Sequence, residues 1–158
     1  MPKIEKITKQ TENPYVNLYL VEGKNKVDHP FRYYVASRAK TMEALKIKTK
    51  KNTPDGVLMY SLYGEKRDKI VLVRQYRVSI DDYIYEFPAG LVESGEEFHE
   101  AAVREMHEET GLTFHPLKVD PCYEKPFFTT IGMTDEACSA VYGWCEGEIS
   151  RKYLEESE

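Results

Sequence analysis

Three glutamates lie within five consecutive residues of the segment REMHEETGL (Arg104–Leu112). On a helix, Glu105, Glu108 and Glu109 project from one side, because residues three and four apart are neighbours. Like charges at these spacings repel by roughly a few tenths of a kcal/mol per pair, and the helix dipole disfavours anions near its C-terminus. These costs indicate that the carboxylates bind a cation. Oxygen ligands alone favour a hard divalent ion, Mg²⁺ or Mn²⁺. Arg104, four residues before Glu108, either braces the acidic side or forms an ordinary surface ion pair.

The residues around this segment predict the helix that carries it. Ser94 followed three residues later by Glu97 is a capping-box pattern, and Gly111 is placed to end the helix. The predicted helix therefore covers residues 95–110. The three glutamates continue the apolar stripe that begins at Phe98, whereas an ordinary solvated charge run would lie opposite it. The opposite side, which we expect to face water, carries mostly polar residues: Glu96, His99, Glu100 and His107.

The rest of the chain predicts strands around this one strong helix. Runs rich in β-branched and aromatic residues predict an N-terminal strand pair, a hairpin and three later strands; in chain order they are YVNLYLVEG, FRYYVAS, VLMYSLY, KIVLVRQY, YIYEFPAG, LKVDPCYEKPFF and EACSAVYGWCEG. We expect an α+β layered domain with mixed strand pairing. Residues 49–56 are the best linker, so the predicted division is an N-terminal β extension, 1–48, and a main domain, 49–158.

Composition and length exclude several classes of protein. The chain has 158 residues, of which 41% are hydrophobic and 31% charged, as in soluble globular proteins. Its net charge of −5 argues against a nucleic-acid partner. No secretory signal and no membrane-spanning run is visible. The three cysteines are odd in number and form no C-x-x-C pair, which favours reduced thiols and a cytoplasmic location.

The segment Gly90–Leu112 resembles the Nudix box of the Nudix hydrolases, whose pattern is G, five residues, E, seven residues, then R-E-U-x-E-E-x-G-U with U a bulky aliphatic residue. All nine fixed positions match: Gly90, Glu96, Arg104, Glu105, Met106, Glu108, Glu109, Gly111 and Leu112. The flanking motifs RQYR, YEFPAG and GMTDE look like those of the ADP-ribose pyrophosphatase branch. The resemblance implies Nudix-type mixed β-sheets packed with the box helix in an α/β/α-like sandwich, preceded by an N-terminal antiparallel strand extension.

The resemblance also implies an activity, which is Mg²⁺-dependent hydrolysis of the pyrophosphate of a nucleoside diphosphate sugar. ADP-ribose, giving AMP and ribose 5-phosphate, is the best-matched substrate. By the family pattern Glu105 and Glu109 are the principal metal ligands, Glu108 is a ligand or a base, and the backbone carbonyl of Ala89 completes the set. Arg104 belongs to the same catalytic group. A glutamate of a later loop is a candidate general base, which here is Glu156 or Glu158; the alternative is a frayed acidic terminus.

Three residues before the box are candidate substrate contacts. Arg74 and Arg77 are three apart in a predicted strand and so face opposite ways. One is expected to reach the substrate while the other braces the fold, and Arg77, nearer the strand end, is the first choice. Glu86 is expected to accept a hydrogen bond from a ribose hydroxyl or, alternatively, to pair with an arginine across the strands. The branch also implies a homodimer whose N-terminal strands help form a shared substrate cleft.

Two features depart from that branch. Ile131 stands where many members carry the proline of S-P-G, a residue associated with ADP-ribose preference. Such proteins usually continue with a further strand and helix, whereas this chain stops at YLEESE, so it is either truncated or different in its C-terminal architecture. Two alternative functions follow. One is a Nudix hydrolase of another nucleotide, such as a dinucleoside polyphosphate or an oxidised nucleotide; the other is a non-catalytic nucleotide-sugar sensor.

Overall fold

The computed structural model describes residues 2–154, in which the chain forms eleven β-strands, two α-helices and one 3-10 helix. The strands are β1 (Lys3–Lys9), β2 (Asn17–Lys24), β3 (Pro30–Ser37), β4 (Gly56–Tyr63), β5 (Lys69–Ile70), β6 (Val73–Arg77), β7 (Asp82–Glu86), β8 (Ala89–Leu91), β9 (Thr113–Pro116), β10 (Phe127–Phe128) and β11 (Ala137–Glu146). The helices are α1 (Lys46–Thr49), α2 (Phe98–Thr110) and the 3-10 helix Pro121–Tyr123. This content confirms the predicted α+β class. Neither α-helix of the described part is long and apolar enough to span a membrane.

The chain divides into two compact units, and the first comprises residues up to Thr53 together with Phe128–Ala137. Its sheet is antiparallel, in the order β1–β2–β3, which confirms an N-terminal antiparallel extension. The side chain of Asn17 accepts from the backbone N–H of Asn13 (2.7 Å) and donates to its carbonyl (2.9 Å), so it closes the turn that leads into β2. The prediction of only two strands here was wrong, because the lysines at every third position of β1 (Lys3, Lys6 and Lys9) interrupt the two-residue alternation of a strand.

The second unit comprises Pro54–Phe127 and the residues from Cys138 onward, and its main sheet is mixed as predicted. β11 runs parallel to β4 and antiparallel to β9, while β4 pairs antiparallel with β5 and β8. The predicted hairpin of VLMYSLY with KIVLVRQY is only partly formed. The second run breaks after β5, and β6 pairs with β7 in a separate two-stranded sheet. Within residues 2–154 no other strand pairs with that hairpin.

The core of the second unit lies between α2 and one face of the main sheet. Met106 of α2 is fully buried and belongs to the same apolar cluster as Val57 and Met59 of β4 and Val141 of β11. Complete burial of a side chain of this size contributes about 1.5–3 kcal/mol. Packing therefore fixes the rotation of α2 about its axis, and with it the direction of the glutamates on the same side.

The two ends of α2 differ in how well they were predicted. Gly111 ends the helix as expected, with a left-handed φ of 75° and its N–H on the carbonyl of His107 (2.8 Å). The predicted N-cap, Ser94, was wrong, because Glu97 occupies that position and its side chain accepts from the backbone N–H of His99 (2.9 Å). Ser94 lies instead in a turn closed by two contacts between Glu93 and Glu96.

Candidate active site

Glu105 is buried at the contact between α2 and β8. Its exposed fraction is only 9%, and its carboxyl group lies against the backbone of Gly90. A Cβ atom on Gly90 would lie 1.8 Å from Cδ of Glu105 and 2.1 and 2.2 Å from its two oxygens, far inside contact distance. Only glycine therefore allows the carboxylate to take this place. Gly90, the first position of the box, and Glu105 are thus linked by direct steric contact.

Glu109, one turn further along α2, contacts the same stretch of backbone. Its Oε2 accepts a hydrogen bond from the N–H of Ala89 (3.2 Å). The preceding residue, Pro88, is buried, and its carbonyl accepts from the N–H of Met59 (2.8 Å), which fixes the bend to β4. Two of the three predicted glutamates thus meet at Ala89–Gly90. The resemblance implied the carbonyl of Ala89 as a ligand, whereas the contact with Glu109 is made by the N–H of Ala89.

Arg104 joins the remaining acidic side chains. It holds Glu96 through two bonds, Nε to Oε1 (2.9 Å) and Nη2 to Oε2 (3.0 Å). Its Nη1 contacts Oε2 of Glu108 (2.9 Å) and Oε1 of Glu105 (3.0 Å), and Nη2 also donates to the carbonyl of Leu91 (3.0 Å). The arginine therefore does more than brace the helix surface. It fixes the side-chain positions of three box glutamates relative to β8.

These contacts shift the pKa values of Arg104 and Glu96. The hydrogen bonds to Glu96 are the largest cause of a raised pKa for Arg104, followed by opposing partial burial and then by the contacts with Glu105. The pKa of Glu96 is lowered, chiefly by its hydrogen bonds from Arg104 and then by the backbone N–H of Glu93. Both groups are therefore charged at neutral pH.

The donor set fits a hard divalent cation. The cluster contains one guanidinium and four box carboxylates, those of Glu96, Glu105, Glu108 and Glu109, so its formal charge is −3. Every atom in it that could ligate a metal ion is a carboxylate oxygen. Glu105 and Glu109 are the two that meet the Ala89–Gly90 backbone, whereas Glu108 is held by Arg104. Within residues 2–154, no three acidic, histidine or cysteine side chains are arranged to share one metal ion.

The two arginines before the box lie on opposite faces of the β6–β7 hairpin, as their spacing predicted. The guanidinium of Arg74 lies 4.3 Å from the ring centre of Tyr83. Arg77 donates from Nε to Oε2 of Glu86 (2.8 Å), so two residues predicted to contact substrate contact each other. The alternative weighed for Glu86, an arginine partner across the strands, is the arrangement found.

Other predicted residues lie elsewhere. Ile131 is exposed in a turn of the first unit, between Thr130 and Thr134. Glu156 and Glu158 lie outside the described residues. Sequence reasoning missed the contacts of Glu96, which was expected to face water. Glu96 precedes the first residue of α2, so a helical projection does not apply to it; only its place in the box pattern indicated a role.

Known proteins resemble this chain in sequence and in fold. The NUDIX domain family matches residues 52–152, which include the whole segment Gly90–Leu112. The ADP-ribose pyrophosphatase of Saccharomyces cerevisiae is 35% identical over 80 residues, covering 49% of this chain and 35% of that protein. The ADP-sugar pyrophosphatase of Mus musculus is 36% identical over 87 residues, covering 53% of this chain and 40% of that protein. The ADP-ribose pyrophosphatase of Bacillus subtilis is 44% identical over 61 residues, covering 38% of this chain and 33% of that protein.

Each match thus spans 40% or less of the relative's own length. A crystal structure of an ADP compounds hydrolase shares the fold with a TM-score of 0.68, over 99% of this chain and 72% of that one, at 19% identity. The family match covers well over half of the chain and contains Arg104, Glu105 and Glu109 together with the residues that they contact. The chain belongs to the NUDIX family.

Proposed function

We propose that the protein hydrolyses the pyrophosphate of a nucleoside diphosphate sugar, with ADP-ribose and water giving AMP and ribose 5-phosphate. The observation that carries the proposal is the seating of Glu105 against Gly90, with Glu109 bonded to the adjacent N–H of Ala89. Buried carboxylates require compensating positive charge, and the single guanidinium of Arg104 is shared among Glu96, Glu105 and Glu108, so the acidic cluster favours a further cation. The names of the yeast, mouse and B. subtilis relatives support an ADP-sugar as substrate.

Glu105 and Glu109 would hold the metal, together with the backbone of Ala89, and Mg²⁺ is the proposed ion with Mn²⁺ as the alternative. When bound, such an ion neutralises the pyrophosphate and activates water for attack at phosphorus. Arg104 keeps Glu105 and Glu108 in place through its shared Nη1 contacts. Glu108 is proposed as a further ligand or as the general base. Glu156 and Glu158 remain proposals for the base as well.

Arg74, Arg77 and Glu86 are proposed to contact the substrate. For Arg74, this role is supported by its exposure and by the position of its guanidinium over the ring of Tyr83. Arg77 and Glu86 neutralise each other in the structure, so their binding to phosphate or ribose would require the pair to open or to act as one unit. Substitution of Arg74 and substitution of Arg77 are therefore expected to affect substrate affinity differently.

A substrate panel tests the proposed function. The purified protein is incubated with ADP-ribose, other nucleoside diphosphate sugars, a dinucleoside polyphosphate and an oxidised nucleoside triphosphate, each with Mg²⁺, with Mn²⁺ and with chelator. Chromatographic release of AMP and ribose 5-phosphate supports the proposal. Turnover of only the last two substrates supports the alternative Nudix activity. Tight binding of a nucleotide sugar without turnover supports the sensor, and neither binding nor turnover contradicts all three.

We also propose that the protein forms a homodimer, in which residues 1–48 help to complete the substrate cleft, and that it is cytoplasmic. The β6–β7 hairpin supports the dimer. Its tip residue Val78 is 84% exposed and Tyr85 on its face is 71% exposed, and an isolated two-stranded sheet is marginally stable in water. Light scattering of the purified protein, which gives its molar mass in solution, would test the dimer. A monomer at all concentrations would contradict it.

A further inference from the structure

The side chain of His99 bonds to two carboxylates at once. Its Nδ1 lies 3.0 Å from Oε2 of Glu97, and its Nε2 lies 2.8 Å from Oε1 of Glu124. A neutral imidazole carries one N–H donor and one acceptor, whereas an ionised carboxylate can only accept. Both contacts are satisfied together only if both ring nitrogens carry a proton. The geometry therefore places an imidazolium ion between two carboxylates.

The two carboxylates belong to different elements of the second unit. Glu97 is the N-cap of α2, and the same Oε2 accepts from the backbone N–H of His99. Glu124 directly follows the 3-10 helix Pro121–Tyr123, and its carbonyl accepts from Oγ of Ser139 on β11 (2.9 Å). The imidazolium thus connects the beginning of the box helix to the turn formed by residues 121–124. The carboxylate of Glu124 is well shielded, with 16% of its side chain exposed.

The charged groups around His99 favour its protonated form. From α2, Glu100 and Arg104 line the same open groove of about 420 Å³ as His99, and Arg104 is already bound by both oxygens of Glu96. From β9, the groove is lined by the uncharged Pro116. Partial burial of His99 lowers its pKa, but the hydrogen bonds to Glu124 and Glu97 outweigh burial, so the net shift is upward.

We propose that His99 is a pH-sensitive clamp: when protonated it bonds to both Glu97 and Glu124 and holds the 121–124 turn against the beginning of α2, and when neutral it loses one of these two bonds and the hold on the turn weakens. The sign follows from the raised folded-state pKa. The clamp is complete below the ordinary histidine value of about 6.5, and it is lost as pH rises through the higher folded-state value.

The clamp also connects to the candidate active site, which makes His99 a positioning residue. Tyr123 of the turn lies edge-on to Tyr142 (6.4 Å between ring centres), and Tyr142 is 6.1 Å from Tyr60. Tyr60 in turn lies 5.5 Å from Phe87, the residue immediately before the Pro88–Ala89 bend. Release of the turn removes support from one end of this aromatic row, whose other end joins the backbone contacted by Glu109.

Titration of the full-length protein by NMR is the direct test. The ring signals of His99 and of the exposed His29, which lies in the β2–β3 turn, are followed from pH 5 to 10. A midpoint for His99 above that of His29 supports the clamp. An equal or lower midpoint for His99 overturns it. Neither outcome depends on catalysis, so this test is separate from that of the proposed function.

Hydrogen exchange of residues 117–126 tests the mechanical consequence. In the wild type, protection relative to the intrinsic exchange rate is expected to fall by about tenfold or more between pH 6 and pH 9. His99→Gln should show low protection at both values, and Glu124→Gln a reduced pH dependence. His29→Gln is the matched control and should behave as the wild type. The proposal is overturned if protection in the wild type does not depend on pH, or if a folded His99→Gln variant shows the same dependence of protection on pH as the wild type.

Discussion

The carboxyl group of Glu105 occupies the space that a side chain at Gly90 would fill, with only 1.8 Å between Cδ and the position of a Cβ. This relationship joins the helix and the strand of the candidate site through one steric contact. It explains why a strand that pairs regularly with β4 carries a glycine at this point. It also means that the position of the Glu105 carboxylate depends on the absence of a single methyl group.

Gly90→Ala should therefore displace Glu105 and abolish metal-dependent turnover. Overpacking of this kind destabilises a protein by about 1–3 kcal/mol, so most of the protein should remain folded. Denaturant unfolding gives the stability change, and a Mn²⁺ titration gives the loss of metal affinity. Gly132→Ala is the matched control, because a Cβ there meets nothing within 4 Å. Wild-type metal affinity in Gly90→Ala would contradict the assignment of Glu105.

Glu109→Gln should lose turnover while keeping the fold. The amide can still accept the N–H of Ala89, so the bend at Ala89 is preserved, but the negative charge is lost. We expect at least about a 100-fold fall in kcat/KM, since loss of an outer-shell partner alone costs about 10–100-fold. Glu65→Gln, a substitution of the same type in the exposed β4–β5 turn, should leave activity unchanged. Equal activity in the two variants would refute the proposed metal ligand.

The parts of the fold that follow from local pattern were predictable. The side of α2 that carries Glu105 follows from the 3.6-residue period, and Gly111 is a local stop signal. The beginning of the helix was not predicted, because Ser94 and Glu97 can both cap a helix and the Glu93–Glu96 turn decides between them. The capping-box pattern therefore placed the beginning of the helix three residues too early.

Long-range partners were the least predictable. The pairing of β6 with β7 rather than β4 depends on where KIVLVRQY breaks, and no residue in that run marks the break. The bond between His99 and Glu124 joins residues 25 positions apart, so a helical projection could only assign His99 to a water-facing side. Whether an exposed polar residue has a distant partner is not encoded in the periodicity of its own element.

Glu96→Gln should weaken the support that Arg104 gives to the site and change how stability depends on pH. The folded-state pKa of Glu96 is lowered, chiefly by Arg104, so its contribution is complete above the unfolded pKa and is lost as pH falls through the folded-state value. Thermal unfolding between pH 7 and 3 should therefore show a smaller acid-induced loss for Glu96→Gln than for the wild type. Parallel curves for the two proteins would contradict this linkage.

Arg74→Ala and Arg77→Ala should separate substrate binding from support of the hairpin. Arg77 and Glu86 form a partly exposed pair, which is worth about 0–1 kcal/mol, so its loss should change stability little. If the pair is structural, Glu86→Gln and Arg77→Ala should have the same small effect, and KM for ADP-ribose should rise several-fold only in Arg74→Ala. A double variant with the charges exchanged, Arg77→Glu with Glu86→Arg, should then restore stability and retain activity. A larger rise in KM for Arg77→Ala than for Arg74→Ala, not rescued by the exchange, would instead assign the substrate contact to Arg77.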